Sequence, residues 1–363
     1  MTRPTSGASG RGGAGRPTIV VPVTSTPAGP VTAVLPVVDD ALGARLAARM
    51  ELVEERLQAA VANEDALVDE TSRHLLAAGG KRLRPYLTLL TAELGDGARD
   101  EVLTAATVVE LTHLASLYHD DVMDSASVRR GTTAAHQVWG NSVAILTGDL
   151  LFARASGLVS QLGPEAVLLQ SRTFERLCLG QLHETVGPRG SDEPVDHYLR
   201  VLSDKTASLL ATSARFGALF GGAPAAVVDA VAGFGEKAGV AFQLADDVLD
   251  VVSDGSQSGK TPGTDLREHV PTMPVLLLRE LVASPAATDE DRALLAQLDG
   301  DLDDDGVLAE AVAALRAHPV VERTRAQALA WAQDAVDELR ELPVGPVRDA
   351  LEAFAQALAD RAA

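Results

Sequence analysis

Two acidic pentads, each set in an apolar run, are the feature that most constrains what this chain can fold into. Asp120, Asp121 and Asp124 lie in Leu117-Tyr-His-Asp-Asp-Val-Met-Asp124, and Asp246, Asp247 and Asp250 lie in Phe242-Gln-Leu-Ala-Asp-Asp-Val-Leu-Asp250. Isolated carboxylates are costly to bury, so both D-D-x-x-D segments demand compensating cations. On a helix the outer aspartates of each pentad lie four residues apart, on one face and one turn along, where they can share a divalent ion or a pair of them. A hard cation such as Mg2+ takes few carboxylates and completes its shell with water and phosphate oxygens. Two such clusters facing each other would bind a diphosphate through metal.

Only 3% of the 363 residues are aromatic although 46% are hydrophobic, so Ala, Leu and Val must build the core, which suits packed helices better than sheets. The formal net charge is -20 and no stretch gathers a basic stripe, which argues against nucleic acid or an anionic membrane surface as a partner. The single cysteine, Cys178, excludes an intrachain disulfide framework and a cysteine zinc site, and fits a reducing, cytoplasmic setting. No integral membrane segment is expected, because Glu110 with His113, Arg215, and Glu236 with Lys237 interrupt the best apolar runs. Residues 1–38 hold no Asp or Glu, carry only Arg3, Arg11 and Arg16, and are rich in Gly, Pro, Ser and Thr. That composition predicts a disordered tail rather than an amphipathic transit peptide.

From Asp39 onward helix follows helix, without strand-like alternation. The pattern predicts helices over Asp40–Ala62, Glu64–Ala78, one containing Pro85 in its first turn or so, Glu101–Asp124, Val143–Leu162, Pro164–Val186, Val195–Phe220, Pro224–Ser253, Pro274–Val282, Asp289–Leu298 and Val307–Ala317, with two more within Val320–Arg361. The expected fold is all-α, a single-domain helical bundle over residues 39–363.

Basic loops accompany the acidic pentads. Gly79-Gly80-Lys81-Arg-Leu-Arg84-Pro85 puts cations at a loop-to-helix junction, where free N–H groups and the helix dipole favour an anion held by Lys81 and Arg84. Val128-Arg129-Arg130-Gly131 offers paired arginines suited to a bidentate grip on phosphate oxygens. Lys205-Thr206 interrupts an apolar helix, Gln243 lies three residues before Asp246, and His113 lies seven before Asp120 on about the same helical face. Each has a bland alternative as a surface ion pair, a solvated lysine or a satisfied core polar group. A lone D-D-x-x-D is expected roughly 0.2 to 0.3 times by chance in so acidic a chain, so two copies with two basic loops outweigh those alternatives. Asp301-x-Asp303-x-Asp305-Gly306 mimics a calcium loop but carries Val312 at its twelfth position, and is expected to be a solvated interhelical loop.

Taken together, the ordered segments G-G-K-R-x-R-P, H-D-D-x-x-D, R-R-G, Gly148-Asp149, Gly180-Gln181, K-T-A, F-Q-x-x-D-D-x-x-D and Gly259-Lys-Thr-Pro-Gly-Thr-Asp265 resemble an all-trans polyprenyl diphosphate synthase, over about Asp40 to Arg361. The resemblance implies the isoprenoid-synthase fold with a central active-site cavity. It also implies head-to-tail condensation of an allylic diphosphate with isopentenyl diphosphate. Asp120 and Asp124 would hold two Mg2+ ions and Asp246 a third, with Asp250 counted among the metal-site residues and Asp121, Asp247 and Asp250 orienting waters and ligands. Arg129, Lys205, Thr206, Gln243 and Lys260 look like allylic-diphosphate contacts; Gly80, Lys81, Arg84, His113 and Arg130 look like the metal-free isopentenyl pocket. Where many relatives carry a second Lys this chain has Val270, so one allylic contact is absent or supplied by Arg267 or His269. Glu184 stands where Asp is frequent in the family.

Product length is expected to depend on what blocks the growing tail beneath the first pentad, where Ser116 and Ala115 sit roughly 6 to 8 Å deeper along the helix, with Thr112 further down. All three are small where family members that stop early often place an aromatic, so the resemblance and the room left together imply a product of about six or more isoprene units, and the resemblance implies a quinone side-chain precursor. A shorter geranylgeranyl or farnesyl product, a non-catalytic partner subunit and a class I terpene cyclase stay open as alternatives. The resemblance further implies a homodimer in the cytoplasm, with loose membrane association through its lipid product as an option.

Overall fold

The computed structural model describes residues 39–253 and 262–360. The tail over 1–38, and Lys260 with its neighbours in 254–261, lie outside the described residues.

Helices carry nearly all of the described chain, as the pattern predicts. In order they are α1 (Asp40–Val61), α2 (Ala66–Ala77), α3 (Leu83–Ala92), α4 (Asp100–Met123), a short α5 (Ala135–Trp139), α6 (Asn141–Val159), α7 (Pro164–Val186), α8 (Pro194–Leu202), α9 (Ser208–Phe220), α10 (Ala225–Val252), a single turn α11 (Thr264–Arg267), α12 (Met273–Ala283), α13 (Asp289–Leu298), α14 (Asp305–Ala317), α15 (Pro319–Glu338) and α16 (Pro346–Ala359).

Helix α4 is buried almost all round from Val102 to Leu111, so it is a central helix rather than an amphipathic surface one. It packs on α3, α6 and α9, and α10 packs on α9 and α15. One core, with Leu57, Leu90, Val109, Phe216 and Phe354 among its fully buried members, lies around α4; a second, with Leu244, Leu277, Leu315 and Val320, lies around the C-terminal half of α10. Both pentads therefore fall at the C-terminal ends of the two helices around which the cores are built.

Two local features depart from the sequence pattern. A two-stranded antiparallel hairpin, β1 (Val128–Arg129) and β2 (Thr132–Thr133), follows α4. Its two-residue loop is Arg130-Gly131, with φ of 54° and 74°, the doubly left-handed geometry that matches strand twist. The predicted continuous helix over Val195–Phe220 is instead interrupted by a π turn at Ser203–Ala207, between α8 and α9. The false calcium loop is, as expected, a connection between α13 and α14 with its aspartates exposed, and it runs into a helix start at which Asp304 accepts from the Gly306 and Val307 N–H groups.

The expectation about membrane-spanning runs needs correction. Asn141–Leu162 has the length and apolarity for a span, with a mean hydropathy of 1.4, because only Asp149 and Arg154 interrupt it and the sequence reading passed over it. Its Ala144, Gly148, Leu151 and Ala155 are buried and α6 packs on α4, while Ile145 and Leu146 on the same helix are exposed.

Candidate active site

The first pentad occupies the last turn of α4, with Asp124 as its C-cap. The second occupies the last two turns of α10, and neither helix has a basic residue in its last turn. A helix C-terminus carries the negative end of the dipole, so clustering carboxylates there is unfavourable unless cations are brought to them. Burial pushes the Asp120 carboxyl up to about 6, against the electrostatic pull of Lys205, while Asp124 adds to the rise. Asp121 is fully buried; Arg129 Nε donates to its Oδ1 at 2.6 Å, while its Oδ2 is buried without a hydrogen-bond partner. Hard oxygen donors, one carboxyl disfavoured as an anion by its surroundings and one orphaned buried oxygen make a donor set that fits Mg2+.

The middle aspartates are set apart from the outer ones. Asp121 is tied to Arg129, and Asp247 accepts from the Tyr198 hydroxyl at 2.9 and 2.8 Å and from the Met273 N–H at 3.0 Å. Burial is the main reason the Asp247 carboxyl is pushed up to about 8. Its contacts pin α8 and the start of α12 to α10, so Asp247 orients the pentad from behind. Asp246, Asp250 and Gln243 are half-buried on α10.

Lys205 and Thr206 lie within the π turn. The Lys205 ammonium donates to Glu184 on α7 and lies within electrostatic reach of Asp120 and Asp124; burial opposes its charge, but these acidic neighbours raise its pKa overall. Glu184 in turn acts on Tyr198, the partner of Asp247. Glu184 thus acts electrostatically both on Asp120 of the first pentad and on the tyrosine that holds the second.

A second subsite is built mainly from arginine. The Arg130 guanidinium donates to the carbonyls of Leu75, at 3.0 Å, and Gly79. Gly80 has φ 138°, a backbone conformation that favours glycine, and a Cβ there would lie 2.8 Å from that guanidinium carbon. Burial lowers the Arg84 pKa to about 10, and its Nε is buried without a partner. The His113 pKa falls well below its ordinary value, first through burial and then through Arg84, Arg130, Arg129 and Arg82. His113 is therefore a neutral hydrogen-bonding group in a cationic pocket, and Lys81 is exposed at its rim.

Sequence reasoning passed over Arg82, Glu54 and Glu110. Arg82 has φ 49° and turns from the ligand side, with Nε 3.0 Å from Glu54 Oε2 and Nη1 3.1 Å from the buried Glu110 Oε1. The Glu110 Oε1 also lies 3.7 Å from Arg130 Nη2. A glutamate in the apolar run Val108-Val-Glu-Leu-Thr112 was the available signal. Of the candidates to replace the missing lysine near Val270, Arg267 is paired with Asp305 and His269 is exposed. For the chain-length residues, Ala115 and Thr112 are fully buried and Ser116 half-buried, and Gln170 Nε2 donates to Thr112 Oγ1 at 2.6 Å.

Carboxylates at the ends of α4 and α10, the first set within electrostatic reach of Lys205, share one all-α scaffold with an arginine-rich pocket. The chain belongs to the polyprenyl synthetase family, whose model matches residues 65–315. It is 42% identical over 318 residues to the nonaprenyl diphosphate synthase of Mycobacterium tuberculosis, covering 87% of this chain and 93% of that protein. It is 36% identical over 305 residues to heptaprenyl diphosphate synthase component 2 of Geobacillus stearothermophilus, covering 84% and 92%. A solved structure of geranylgeranyl pyrophosphate synthase from Corynebacterium glutamicum, complexed with calcium and isoprenyl diphosphate, superposes with a TM-score of 0.79 at 40% identity, covering 90% of this chain and 99% of that one. This chain is a prenyltransferase of the polyprenyl diphosphate synthase class.

Proposed function

We propose that this enzyme condenses an allylic diphosphate with isopentenyl diphosphate to give an all-trans polyprenyl diphosphate of six or more isoprene units, a quinone side-chain precursor. The observation that carries the reading is the contrast between the two subsites. Carboxylates dominate one, with Asp120 pushed up to about 6 by burial, and guanidinium groups around a neutral His113 dominate the other. Asp120, Asp124, Asp246 and Asp250 would hold Mg2+, three ions in all. When bound, Mg2+ supplies the positive charge that stabilises the departing diphosphate as the allylic C–O bond ionises.

Arg129, Lys205, Thr206 and Gln243 grip the allylic diphosphate, with Lys205 leaving its ion pair with Glu184 to reach a phosphate oxygen. Arg84, Arg130 and Lys81 hold the isopentenyl diphosphate, and neutral His113 adds a hydrogen bond without adding charge. The isopentenyl double bond attacks the allylic cation, forming the new C–C bond. A proton is then lost from the adjacent carbon to the released diphosphate, so no side chain has to be a strong base.

The length assignment rests on small residues at Ala115, Ser116 and Thr112 and on the likeness to nonaprenyl and heptaprenyl diphosphate synthases. A geranylgeranyl product is the second reading, favoured by the likeness to the Corynebacterium enzyme. We also propose a cytoplasmic homodimer. Ile145 and Leu146 on α6 and Leu168, Leu179 and Leu182 on α7 are 41 to 65% exposed, an apolar surface suited to a second copy of the chain.

The test is incubation with farnesyl diphosphate, labelled isopentenyl diphosphate and Mg2+, followed by chromatography of the dephosphorylated products. Elongated prenyl alcohol of C30 or more is expected. A ladder stopping at C20 gives the second reading, and no elongation removes the activity from the isolated chain.

A further inference from the structure

The π turn that presents Lys205 is a costly piece of backbone, since π geometry is rare and appears mostly as single turns at functional sites. Its widened hydrogen bond runs from the Ser208 N–H to the Ser203 carbonyl. Neighbouring helices approach it unusually closely. A Cβ on Gly180 of α7 would lie 2.6 Å from the Lys205 backbone nitrogen, and one on Gly239 of α10 would lie 2.5 Å from the Ala207 Cα.

One side chain joins all three elements. Arg176, on α7, donates through Nε to Asp204 Oδ1 at 2.7 Å, and through Nη2 to Ser203 Oγ at 2.9 Å and the Ser203 carbonyl at 3.2 Å. It also donates through Nη1 and Nη2 to the two Glu236 carboxylate oxygens of α10, at 3.0 and 2.6 Å. Ser203 Oγ closes the ring by donating to Glu236 Oε1. The carbonyl of Ser203 is thus shared between the widened helix bond and the guanidinium, and Asp204, the residue before Lys205, is fixed to the same fork.

We propose that Arg176 is a positioning residue for the prenyl transfer: by binding Ser203 and Asp204 and locking them to Glu236, it holds the π turn in the geometry that aims Lys205 and Thr206 at the allylic diphosphate. Arg176 itself touches no substrate. The proposal rests on the reading of Lys205 as an allylic-diphosphate contact. Only a fork with several donors in fixed relation can serve three acceptor groups on two elements, so lysine is not its equivalent.

Steady-state kinetics of Arg176→Met, Arg176→Lys and Lys205→Met test this, with the Michaelis constant for each substrate measured separately and thermal unfolding recorded alongside. Arg176→Met should raise the allylic constant about tenfold and leave the isopentenyl constant within about twofold, as loss of an outer residue that orients a contact does. Arg176→Lys should retain a normal melting temperature yet show an intermediate rise in the allylic constant, which keeps the test decisive if the Met variant does not fold. A raised allylic constant in Lys205→Met beside unchanged constants in both Arg176 variants overturns the proposal alone. An unchanged allylic constant in Lys205→Met overturns the reading of Lys205 and the proposal with it. Equal rises for both substrates, tracking lost melting temperature, mark Arg176 as merely structural and also overturn it.

Discussion

Replacing Glu110 by Gln should destabilise the substrate-free enzyme by about 3 kcal/mol, the low end of the loss seen when a buried ion pair loses one partner. The carboxylate is 1% exposed, and its Oε1 lies 3.1 Å from Arg82 and 3.7 Å from Arg130. At an effective dielectric of about 20 those separations correspond to about 5 and about 4.5 kcal/mol of attraction, of which desolvation offsets several. Three retained contacts moderate the loss. Arg82 keeps Glu54, and Arg130 keeps the Leu75 and Gly79 carbonyls. Glutamine preserves the volume and one acceptor oxygen, so packing is controlled and the measured difference reports the charge. Urea denaturation at 25 °C, with chelator and without substrate, supplies the number. Isopentenyl diphosphate brings anionic oxygens to the same arginines and should recover part of the loss. A cost below about 1 kcal/mol, the range of exposed pairs, would refute the claim that one buried carboxylate organises the arginine pocket.

Tyr198→Phe removes two of the three contacts to Asp247 and should cost about 2 kcal/mol in urea denaturation, with a cost near zero excluding a bracing role for that hydroxyl. Hydrogen bonds from Thr288 and His318 hold the Asp291 carboxyl down at about 2. A depressed carboxylate contributes stability above its unfolded-state pKa and loses it as pH falls through the folded one, so the wild type should lose stability between about pH 4 and pH 2 that Asp291→Asn lacks throughout. Identical acid-unfolding profiles would contradict this. Ala115→Phe introduces a large ring on a fully buried face of α4 and should shift the product ladder to shorter alcohols; an unchanged ladder takes the α4 wall out of the explanation of length.

What could be read in the sequence was whatever a few neighbouring residues encode. The pentads, the arginine pair and the loop before Pro85 carry their chemistry within a handful of positions, and the helix pattern is a local periodicity that survives folding. Partners distant in the chain were not legible. Tyr198 and Met273 meet Asp247 across 49 and 26 residues, and nothing in F-Q-x-x-D-D-x-x-D says that the middle aspartate turns toward them. Arg82 and Arg84 look equivalent in G-G-K-R-L-R-P, yet the left-handed backbone at Arg82 turns it toward Glu54 and Glu110. The π turn was invisible because it adds a residue to a helix without changing composition. The residues that meet it most closely, Gly180, Gly239 and Arg176, are all on other elements.

Helix α4 suggests why one substrate ionises and the other does not. Glu110 and His113 belong to the arginine pocket, and Asp120 and Asp124 lie two to four turns further along the same rigid, centrally buried helix. A diphosphate held without metal by Arg84, Arg130, Lys81 and His113 is fixed in place, but the Arg130 guanidinium is already partly committed to Glu110 and to backbone carbonyls. It therefore meets less unspent positive charge as a leaving group. At the other end the fixed charge is mostly negative, so a diphosphate can bind only together with cations, and those cations favour C–O cleavage. On the proposed assignment, selective activation has two sources that reinforce each other. Only the allylic C–O bond gives a resonance-stabilised cation, and the carboxylates at the helix C-terminus would bring the cations to that diphosphate rather than to the one in the arginine cluster.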